Sequence, residues 1–449
     1  MLKLTMQRSN LVLVLTLVLA SVFQFSNTQA QDTLSLFDAI SIGLERSFSI
    51  RIARNNLEIS KNNSTAGNAG MLPRADLNAN QSSSFYNRDI DYADGTSSSS
   101  ALYPTHALTA GVQLSWTVFD GFAMFARKER LVMLFQQGDL YLKMEVEDAI
   151  ANIAQTYYAL TQSEKLQKWY EEQQELSAKR MNIASEKSRI GAGSELLAMQ
   201  ARVDFRADSA LALKQKLTVA NLKAELNRLM GRAPESSLVA NAGFKIPKPW
   251  NYVEVMSKLS NENLEMQNAN VQIRIAELEE REQKAQRMPQ VNLFGAYNFS
   301  RTSTPQGQTT LFNTLGPAAG IGASITLFNG FNVNRRIRNA SLTADNRRLQ
   351  AEDLALRLQT IAYRLTNELS LALELLQVEQ KSVELAVRNS EIAWERYRLG
   401  AISDLELRED QNRLLNARYR LITAQANAQL AEIELMKLMG NLSGILSDK

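Results

Sequence analysis

The pattern of apolar and polar positions changes period several times along the chain, and each change marks a different element. From residue 34 to about 68, apolar residues recur at three- and four-residue spacing, which is typical of an amphipathic helix. The same period returns from residue 253 to about 286. Pro73 and Pro289 end these two predicted helices, because proline lacks a backbone N–H and its ring clashes with the preceding turn.

After each proline the period falls to two, which is the period of a β-strand. The pattern predicts one hairpin over residues 74–120 and a second over residues 290–328, with polar loops from about 89 to 104 and from about 303 to 317. One face of each strand is apolar and the other is small or polar. The clearest apolar series is Leu108, Ala110, Val112, Leu114, Trp116 and Val118.

Each predicted hairpin is followed by a very long helix. Residues 332–399 contain neither glycine nor proline, and a helix of that length would extend roughly 100 Å. The first copy covers residues 123–188, where only Gly138 interrupts the pattern. A second helix follows each long one, over residues 194–230 and 403–439, and is expected to pair antiparallel with its end.

Short motifs recur at a constant separation. Phe119-Asp120-Gly121-Phe122 returns 209 positions later as Phe328-Asn329-Gly330-Phe331, and Arg189-Ile190-Gly191-Ala192 returns at the same separation as Arg398-Leu399-Gly400-Ala401. Such self-similarity predicts an internal tandem duplication. The first repeat is residues 31–231, the second is residues 251–440, residues 232–250 form a proline-containing connector, and residues 441–449 form a C-terminal tail.

The first residues have the layout of a secretory signal. Lys3 and Arg8 precede an apolar run over residues 11–20, and a polar stretch ends in Thr28-Gln29-Ala30. We therefore predict a signal peptide over residues 1–30. The alternative is an uncleaved membrane anchor, for which the apolar run is shorter than the roughly 20 residues of a membrane-spanning helix.

Composition narrows the class of protein. The chain has no cysteine, which excludes disulfides and thiolate metal sites, and its 50 basic and 47 acidic residues form no basic stripe for a nucleic acid. His106 is the only histidine, so no histidine cluster supports a catalytic or metal centre. The sequence therefore predicts a protein that is not an enzyme and has no cofactor or metal.

Four strands with an apolar outer face cannot close a transmembrane barrel, because the smallest such barrels have about eight. Several chains would have to contribute strands to one barrel. A soluble sandwich, or a hairpin packed on helices, would give the same alternation. The alternative function is therefore a periplasmic coiled-coil scaffold with soluble β-hairpin heads. A hydrolase using paired carboxylates is a third class, but the acidic residues are dispersed over helices.

Together the landmarks resemble the TolC family of bacterial outer membrane efflux proteins over essentially the whole mature chain. The resemblance rests on the segment 116–122, its repeat at 327–330, the Tyr397-Arg398-Leu399-Gly400 turn and the Leu-Met-Gly that closes each repeat. It implies a mainly α fold with a membrane β-barrel: a homotrimer in which antiparallel helices form an α-helical barrel, continued into a shared β-barrel of twelve strands, four from each protomer.

The resemblance also implies a function and partners. Such a protein is the passive exit duct of a tripartite efflux or type I secretion system, with its barrel in outer membrane lipid and its helical tunnel in the periplasm. It is opened by a periplasmic adaptor protein, which joins it to an inner-membrane pump of the proton-driven RND type or the ATP-driven ABC type. The cargo is not indicated by the sequence.

Site residues follow from the same resemblance. The adaptor is expected to dock at the two turns, whose residues are Arg189, Ile190, Gly191, Ser194, Arg398, Leu399, Gly400 and Ser403. Tyr397, Glu406 and Glu409 match residues of the periplasmic aperture, although an exposed helix face explains the two glutamates equally well. The arginine and aspartate that partner the family's tyrosine are replaced here by Ile402 and Leu197.

Overall fold

The computed structural model describes residues 33–240, 243–305, 309–442 and 444. The predicted signal peptide lies outside them. Eight helices and six strands follow one another within the described residues. They are β1 (Thr33–Leu34), α1 (Leu36–Arg46), α2 (Phe48–Asn63), β2 (Arg74–Asp91), β3 (Ser97–Phe119), α3 (Ala123–Arg189), α4 (Glu195–Leu229), β4 (Val239–Ala240), α5 (Tyr252–Glu262), α6 (Leu264–Ala285), β5 (Gln290–Ser303), β6 (Leu311–Ser324), α7 (Asn332–Arg398) and α8 (Asp404–Leu438).

The chain divides into two compact units. One, called here the sheet unit, consists of residues 47–151, 248–371 and 431–449 and contains the strands β2, β3, β5 and β6. The other, called the turn unit, consists of residues 1–46, 152–247 and 372–430. The turn unit contains both glycine-alanine turns, and its only sheet among the described residues is the short parallel pair β1 and β4.

The four long strands form one antiparallel sheet in the order β2-β3-β5-β6. Leu77 pairs with Val112, Val112 pairs with Tyr297, and Tyr297 pairs with Pro317. β2 and β6 are the outer strands of this sheet, so each has one edge without a partner strand in the described chain.

The hairpins differ from the predicted ones in extent. β2 and β3 remain paired as far as Asp91 and Ser97, so the first loop is much shorter than the predicted 89–104. The polar, glycine-containing composition suggested a loop, but an exposed hairpin end satisfies its backbone groups by pairing between the strands whatever its side chains are. β6 ends at Ser324, so the alternating residues 325–327 lie beyond the strand.

The prediction of a single helix before each hairpin is wrong, because each range contains two helices. Residues 34–68 form α1 and α2, separated at Ser47, and residues 253–286 form α5 and α6, separated at Asn263. The Asn263 side chain accepts a hydrogen bond from the Met266 N–H at 2.9 Å and donates one to the Leu438 carbonyl at 2.9 Å. These bonds satisfy an amide at the start of α6 and a carbonyl at the end of α8, and so hold Asn263 at the break.

The bounds of the long helices agree with the pattern to within one residue. α3 and α7 each have 67 residues, and α4 and α8 each have 35. Gly138 lies inside α3 without breaking it. In the described residues, none of the helices contains a stretch long and apolar enough to cross a membrane.

Buried apolar side chains stabilise each unit separately. In the turn unit, Ile153, Tyr157 and Leu160 of α3 are almost fully buried, and the Tyr157 hydroxyl donates to the Leu34 carbonyl at 2.8 Å. A Cβ at Gly43 would lie 2.2 Å from Ile153 Cδ1, so the Ile153 side chain packs directly against the α1 backbone at this glycine. In the sheet unit, the corresponding buried residues include Leu278, Leu358 and Leu369.

Candidate functional site

The two predicted docking turns have the same backbone geometry. Gly191 and Gly400 both have φ of +74°, a left-handed conformation that glycine adopts without steric cost. The Ala192 N–H donates to the Lys187 carbonyl and the Ala401 N–H donates to the Arg396 carbonyl, each at 2.8 Å. With the accompanying bonds from the glycine amides, these are Schellman motifs that end α3 and α7.

The turns expose apolar side chains. Leu399 is 83% exposed and Ile190 is 65% exposed, at matching positions of the two turns. Arg189 and Arg398 pair with glutamates one helical turn earlier in their own helices. An exposed leucine or isoleucine beside a fixed arginine is a suitable contact for another protein, and the assignment of these turns to adaptor docking stays a prediction.

A serine caps the helix that follows each turn. The Ser194 hydroxyl accepts a hydrogen bond from the Leu196 N–H at 3.2 Å. At the second turn, the Ser403 hydroxyl accepts from the Glu406 N–H at 3.2 Å, while the Glu406 carboxylate accepts from the Ser403 N–H at 2.7 Å. This reciprocal pair is a capping box, and it begins α8.

Glu406 therefore has a structural role in this conformation. The Ser403 backbone amide and hydroxyl hold the pKa of the Glu406 carboxyl below its ordinary value. Glu409, the other predicted aperture residue, is exposed and forms an ion pair with Arg413 one turn later. Both side chains are thus engaged within one protomer, and their role at an aperture stays a prediction.

Tyr397 has a hydrogen-bond partner that the sequence did not indicate. Its side chain is 5% exposed, and its hydroxyl donates to Asp404 Oδ1 at 3.2 Å. Burial, followed by the Asp404 charge, raises the pKa of Tyr397 to about 12, so the hydroxyl remains a proton donor at any physiological pH. Lys187 Nζ lies 5.3 Å from the centroid of the Tyr397 ring, which connects the last turn of α3 with that of α7.

Next to Tyr397 lies a buried cluster of charges that sequence reasoning missed. The Arg180 side chain of α3 is fully buried, pairs with Asp204 of α4, and lies 3.5 Å from Asp404 of α8. Arg408 of α8 binds both carboxylate oxygens of Asp208 on α4, at 2.7 and 2.8 Å. This charge cluster connects three helices of the turn unit, and Tyr397 joins the fourth, α7, through Asp404.

A signal for the cluster was present in the sequence. Asp204 and Asp208 are four residues apart on α4, and Asp404 and Arg408 are four residues apart on α8, so each pair occupies one helix face. This spacing fits a solvated face as well as a buried cluster, because the burial of Arg180 on another helix cannot be inferred from spacing alone.

His106, the single histidine, lies on β3, where its Nδ1 is 2.8 Å from the Ser83 hydroxyl. Within the part of the chain that the structure describes, no group of three or more acidic, histidine or cysteine side chains is placed to hold a metal ion.

Comparison with solved structures shows which proteins share this fold. The fold is similar to that of the outer membrane protein VceC of Vibrio cholerae, with 17% identity, a TM-score of 0.71, and coverage of 90% of this chain and 96% of that one. The CmeC outer membrane channel of Campylobacter jejuni is also similar, with 17% identity, a TM-score of 0.75, and coverage of 92% and 88%. The MtrE outer membrane channel of Neisseria gonorrhoeae has 17% identity, a TM-score of 0.69, and coverage of 90% and 89%.

Part of the sequence also matches a known protein family. Residues 255–441 match the family model described as outer membrane efflux protein. The recognition of the TolC family from sequence motifs is confirmed, as is the predicted location in the outer membrane. The comparison with curated proteins finds no match.

Proposed function

We propose that three copies of this chain form a channel-tunnel in the outer membrane, the passive exit duct of a tripartite efflux or type I secretion system. Twelve strands, four from each copy, form one barrel, and the long helices form the periplasmic tunnel. A periplasmic adaptor binds at the turns around Gly191 and Gly400 and opens the aperture. An inner-membrane pump of the RND or ABC type supplies the energy, and the duct itself catalyses no reaction.

The observation that carries the proposal is the sheet with two unpartnered edges. β2 and β6 have 18 and 14 residues, and an unpaired edge of that length is a liability for a lone soluble chain. In lipid an unpaired strand edge is even less stable, because no water is present to accept hydrogen bonds from its N–H groups or donate them to its C=O groups. Pairing β6 of one copy with β2 of the next removes both edges when the ring closes.

Exposed apolar side chains on the strands support a lipid environment. Leu77, Val112, Leu315 and Ile321 are between 48% and 78% exposed, and they alternate with small or polar neighbours such as Thr314 and Gly322. Soluble monomers rarely expose large contiguous apolar patches. A band of this kind facing lipid, with the other face toward an aqueous lumen, is the arrangement of outer membrane barrels.

Adjacent residues on β6 provide a matched test. Leu315 and Thr314 point to opposite faces of the sheet, so Leu315→Arg places a charge in lipid and Thr314→Arg places one in the lumen. At mid-membrane the lipid-facing arginine costs about 2–4 kcal/mol. We expect Thr314→Arg to integrate normally into outer membranes and to form heat-resistant trimers in detergent, while Leu315→Arg integrates poorly.

The rival function predicts a different outcome. A periplasmic scaffold with soluble hairpin heads would be released from cells without detergent, and both arginine variants would be equally soluble. That result would contradict the proposed channel.

A further inference from the structure

The stretch from the end of α6 into α7 has no acidic residue. Residues 283–344 contain neither aspartate nor glutamate, and they contain six basic residues. Four of these basic residues are exposed arginines at the junction between the helices and the sheet. They are called here the arginine cluster, and they are Arg287, Arg335, Arg336 and Arg338. The sheet unit therefore has a concentrated positive charge where its helices meet its strands.

The arginine cluster lies just beyond one end of the sheet. Arg287 precedes Gln290, the first residue of β5, by three positions in the chain. Gln290 pairs with Ser324, the last residue of β6, so both strands stop at this level. The Arg287 guanidinium donates to Asn334 Oδ1 at 2.8 Å, which joins the chain after α6 to the first turn of α7. The arginines of both segments are thus gathered at the same end of the sheet.

Neutral amides, rather than carboxylates, orient the guanidinium groups of the cluster. The hydrogen bonds are Arg287 to Asn334 at 2.8 Å, Arg335 to Asn332 at 3.4 Å and Arg336 to Gln286 at 3.2 Å. Among the residues that the structure describes, no carboxylate forms an ion pair with any member of the cluster. An amide oxygen fixes the direction of a guanidinium but carries no charge, so the positive charge of the cluster stays available to an anion.

The corresponding positions of the first repeat have compensated charges. Arg127 occupies the position of Arg336, 209 residues earlier, and its guanidinium pairs with the Glu282 carboxylate at 3.4 Å. Glu129, an acidic residue, occupies the position of Arg338. The two repeats therefore have the same architecture at this level but different charge. The uncompensated arginines of the second repeat are not required by the fold, so another role for them is expected.

Large apolar side chains are exposed between the sheet and the arginines of α7. Leu327, Phe328 and Phe331 are 90%, 74% and 70% exposed. The rings of Phe328 and Phe331 contact each other edge to face, with their centroids 5.4 Å apart. Phe331 has a φ of +61°, a conformation that bulky residues rarely adopt. Exposed aromatic residues at the ends of strands are typical of the boundary between lipid hydrocarbon and lipid headgroups.

Two arginines of α7 continue from these aromatic residues. The Arg335 N–H donates to the Phe331 carbonyl at 3.0 Å, so Arg335 lies one helical turn from Phe331. Arg338 follows Arg335 by three residues, and side chains at this spacing occupy the same helix face. Like charges one turn apart repel each other, and an anion bound between them relieves that repulsion. Apolar rings followed by two cations match the order of acyl chain and phosphate in a phospholipid.

We propose that the arginine cluster binds the headgroup of an anionic phospholipid, with its phosphate at Arg335 and Arg338 and an acyl chain along Phe328 and Phe331. The planar fork of a guanidinium matches the geometry of phosphate oxygens. The inference rests on the proposed barrel in lipid, since only then does this end of the sheet lie at the periplasmic surface of the membrane. Phosphatidylglycerol fits the cluster better than phosphatidylethanolamine, whose ammonium group the arginines repel.

Lipid titration followed by native mass spectrometry tests the site. The protein is extracted in detergent, freed of lipid, and titrated with phosphatidylglycerol or with phosphatidylethanolamine. We expect the natural trimer to bind one phosphatidylglycerol per copy, in preference to phosphatidylethanolamine. The double variant Arg335→Gln and Arg338→Gln is expected to bind phosphatidylglycerol about 25-fold more weakly, because each basic residue close to an anionic lipid contributes about fivefold.

The matched control is Arg357→Gln with Arg364→Gln, which removes the same two charges from exposed positions farther along α7. In the natural chain these arginines form ion pairs with Glu265 and Glu368. We expect this control to bind phosphatidylglycerol as tightly as the natural trimer does. Equal losses of affinity in the two double variants would show that binding depends only on net charge, which would overturn the site.

Two further measurements separate the ways in which the proposal can fail. A natural trimer that conducts ions but binds both lipids equally contradicts the lipid site alone, whereas a monomer without conductance contradicts the proposed function. The dissociation temperature of lipid-free trimers is expected to be the same for the natural chain and for Arg335→Gln with Arg338→Gln. A lower temperature in the variant would show that these arginines pair with carboxylates of a neighbouring copy instead, which would overturn the lipid site.

Discussion

Arg408 and Asp208 form a bidentate ion pair in which two guanidinium N–H groups donate to both carboxylate oxygens, at 2.7 and 2.8 Å. Asp208 is only 3% exposed, so its charge has little access to water and is stabilised by Arg408 and by a hydrogen bond from the Ser177 hydroxyl. Such pairs do not necessarily add net stability, but removing one member leaves a buried charge uncompensated. The pair therefore fixes α8 against α4 close to the second turn.

Arg408→Ala is expected to destabilise the protein by about 3 kcal/mol, because the buried Asp208 carboxylate loses its main partner. Thermal unfolding in detergent, followed by circular dichroism, measures the loss. Arg413→Ala is the control, since its ion pair with Glu409 is exposed and contributes about 0.5 kcal/mol or less. Equal effects of the two substitutions would show that Asp208 is well solvated.

Tyr397→Phe is expected to favour the open aperture. The substitution removes the hydroxyl that donates to Asp404 and keeps the ring packing, and a hydrogen bond of this kind contributes about 1 kcal/mol. We therefore expect about a fivefold shift toward open channels, seen as longer open times in single-channel recordings. Tyr419→Phe, at an exposed tyrosine of α8, is expected to leave open times unchanged. Unaltered gating in Tyr397→Phe would contradict a role for Tyr397 at the aperture.

Ion selectivity tests the predicted aperture glutamates. If Glu406 and Glu409 of three copies surround a narrow opening, their carboxylates favour cations. The double variant Glu406→Gln and Glu409→Gln is expected to reduce the permeability of potassium over chloride at least about twofold. Glutamine retains a side-chain oxygen that accepts from the Ser403 N–H, so α8 keeps its cap.

Glu58→Gln, a single charge change on the exposed helix α2, serves as the control and should not change selectivity. Selectivity unchanged in the double variant would assign both glutamates to an ordinary helix face.

Glu147 gives the sheet unit a pH-dependent stability. Burial, with the neighbouring Asp148 charge as a smaller cause, raises the pKa of Glu147 from 4.5 to about 7, although Lys437 opposes this. The folded protein therefore binds this proton more tightly than the unfolded chain. The stabilisation is fully present below about pH 4.5 and is lost as pH rises to about 7.

Glu147→Gln is expected to make the free energy of unfolding depend less on pH between about 4.5 and 7. At pH 8 the substitution is expected to raise the free energy of unfolding by about 2 kcal/mol. Glu145→Gln, two residues earlier on α3, changes the charge equally and serves as the control. Stability of the natural chain that increases between pH 5 and pH 7, with no difference from Glu147→Gln, would contradict this assignment.

Local chemistry made much of the fold predictable. Gly191 and Gly400 ended the long helices where the sequence placed their ends, because a left-handed residue after a helix strongly favours glycine. The breaks at Ser47 and Asn263 were not predicted, since neither glycine nor proline marks them. Asn263 ends α5 and caps α6 through local hydrogen bonds, and its side chain also donates to the carbonyl of Leu438, which is distant in sequence.

The candidate site was less predictable than the fold. The motif residues Arg398 and Ser403 occupy the turn that their sequence suggested, because capping is a local interaction. The charge cluster around Arg180 depends on three helices meeting, and helix periodicity alone does not tell which charged face is turned toward another helix.

The conductance of a planar lipid bilayer tests the central claim most directly. Purified, detergent-extracted trimer of the natural chain is added to one side, and current is recorded at fixed voltage. The proposed channel-tunnel predicts stepwise, long-lived conductance increases. A preparation that is monomeric, or that inserts into the bilayer without any conductance step, would contradict the account.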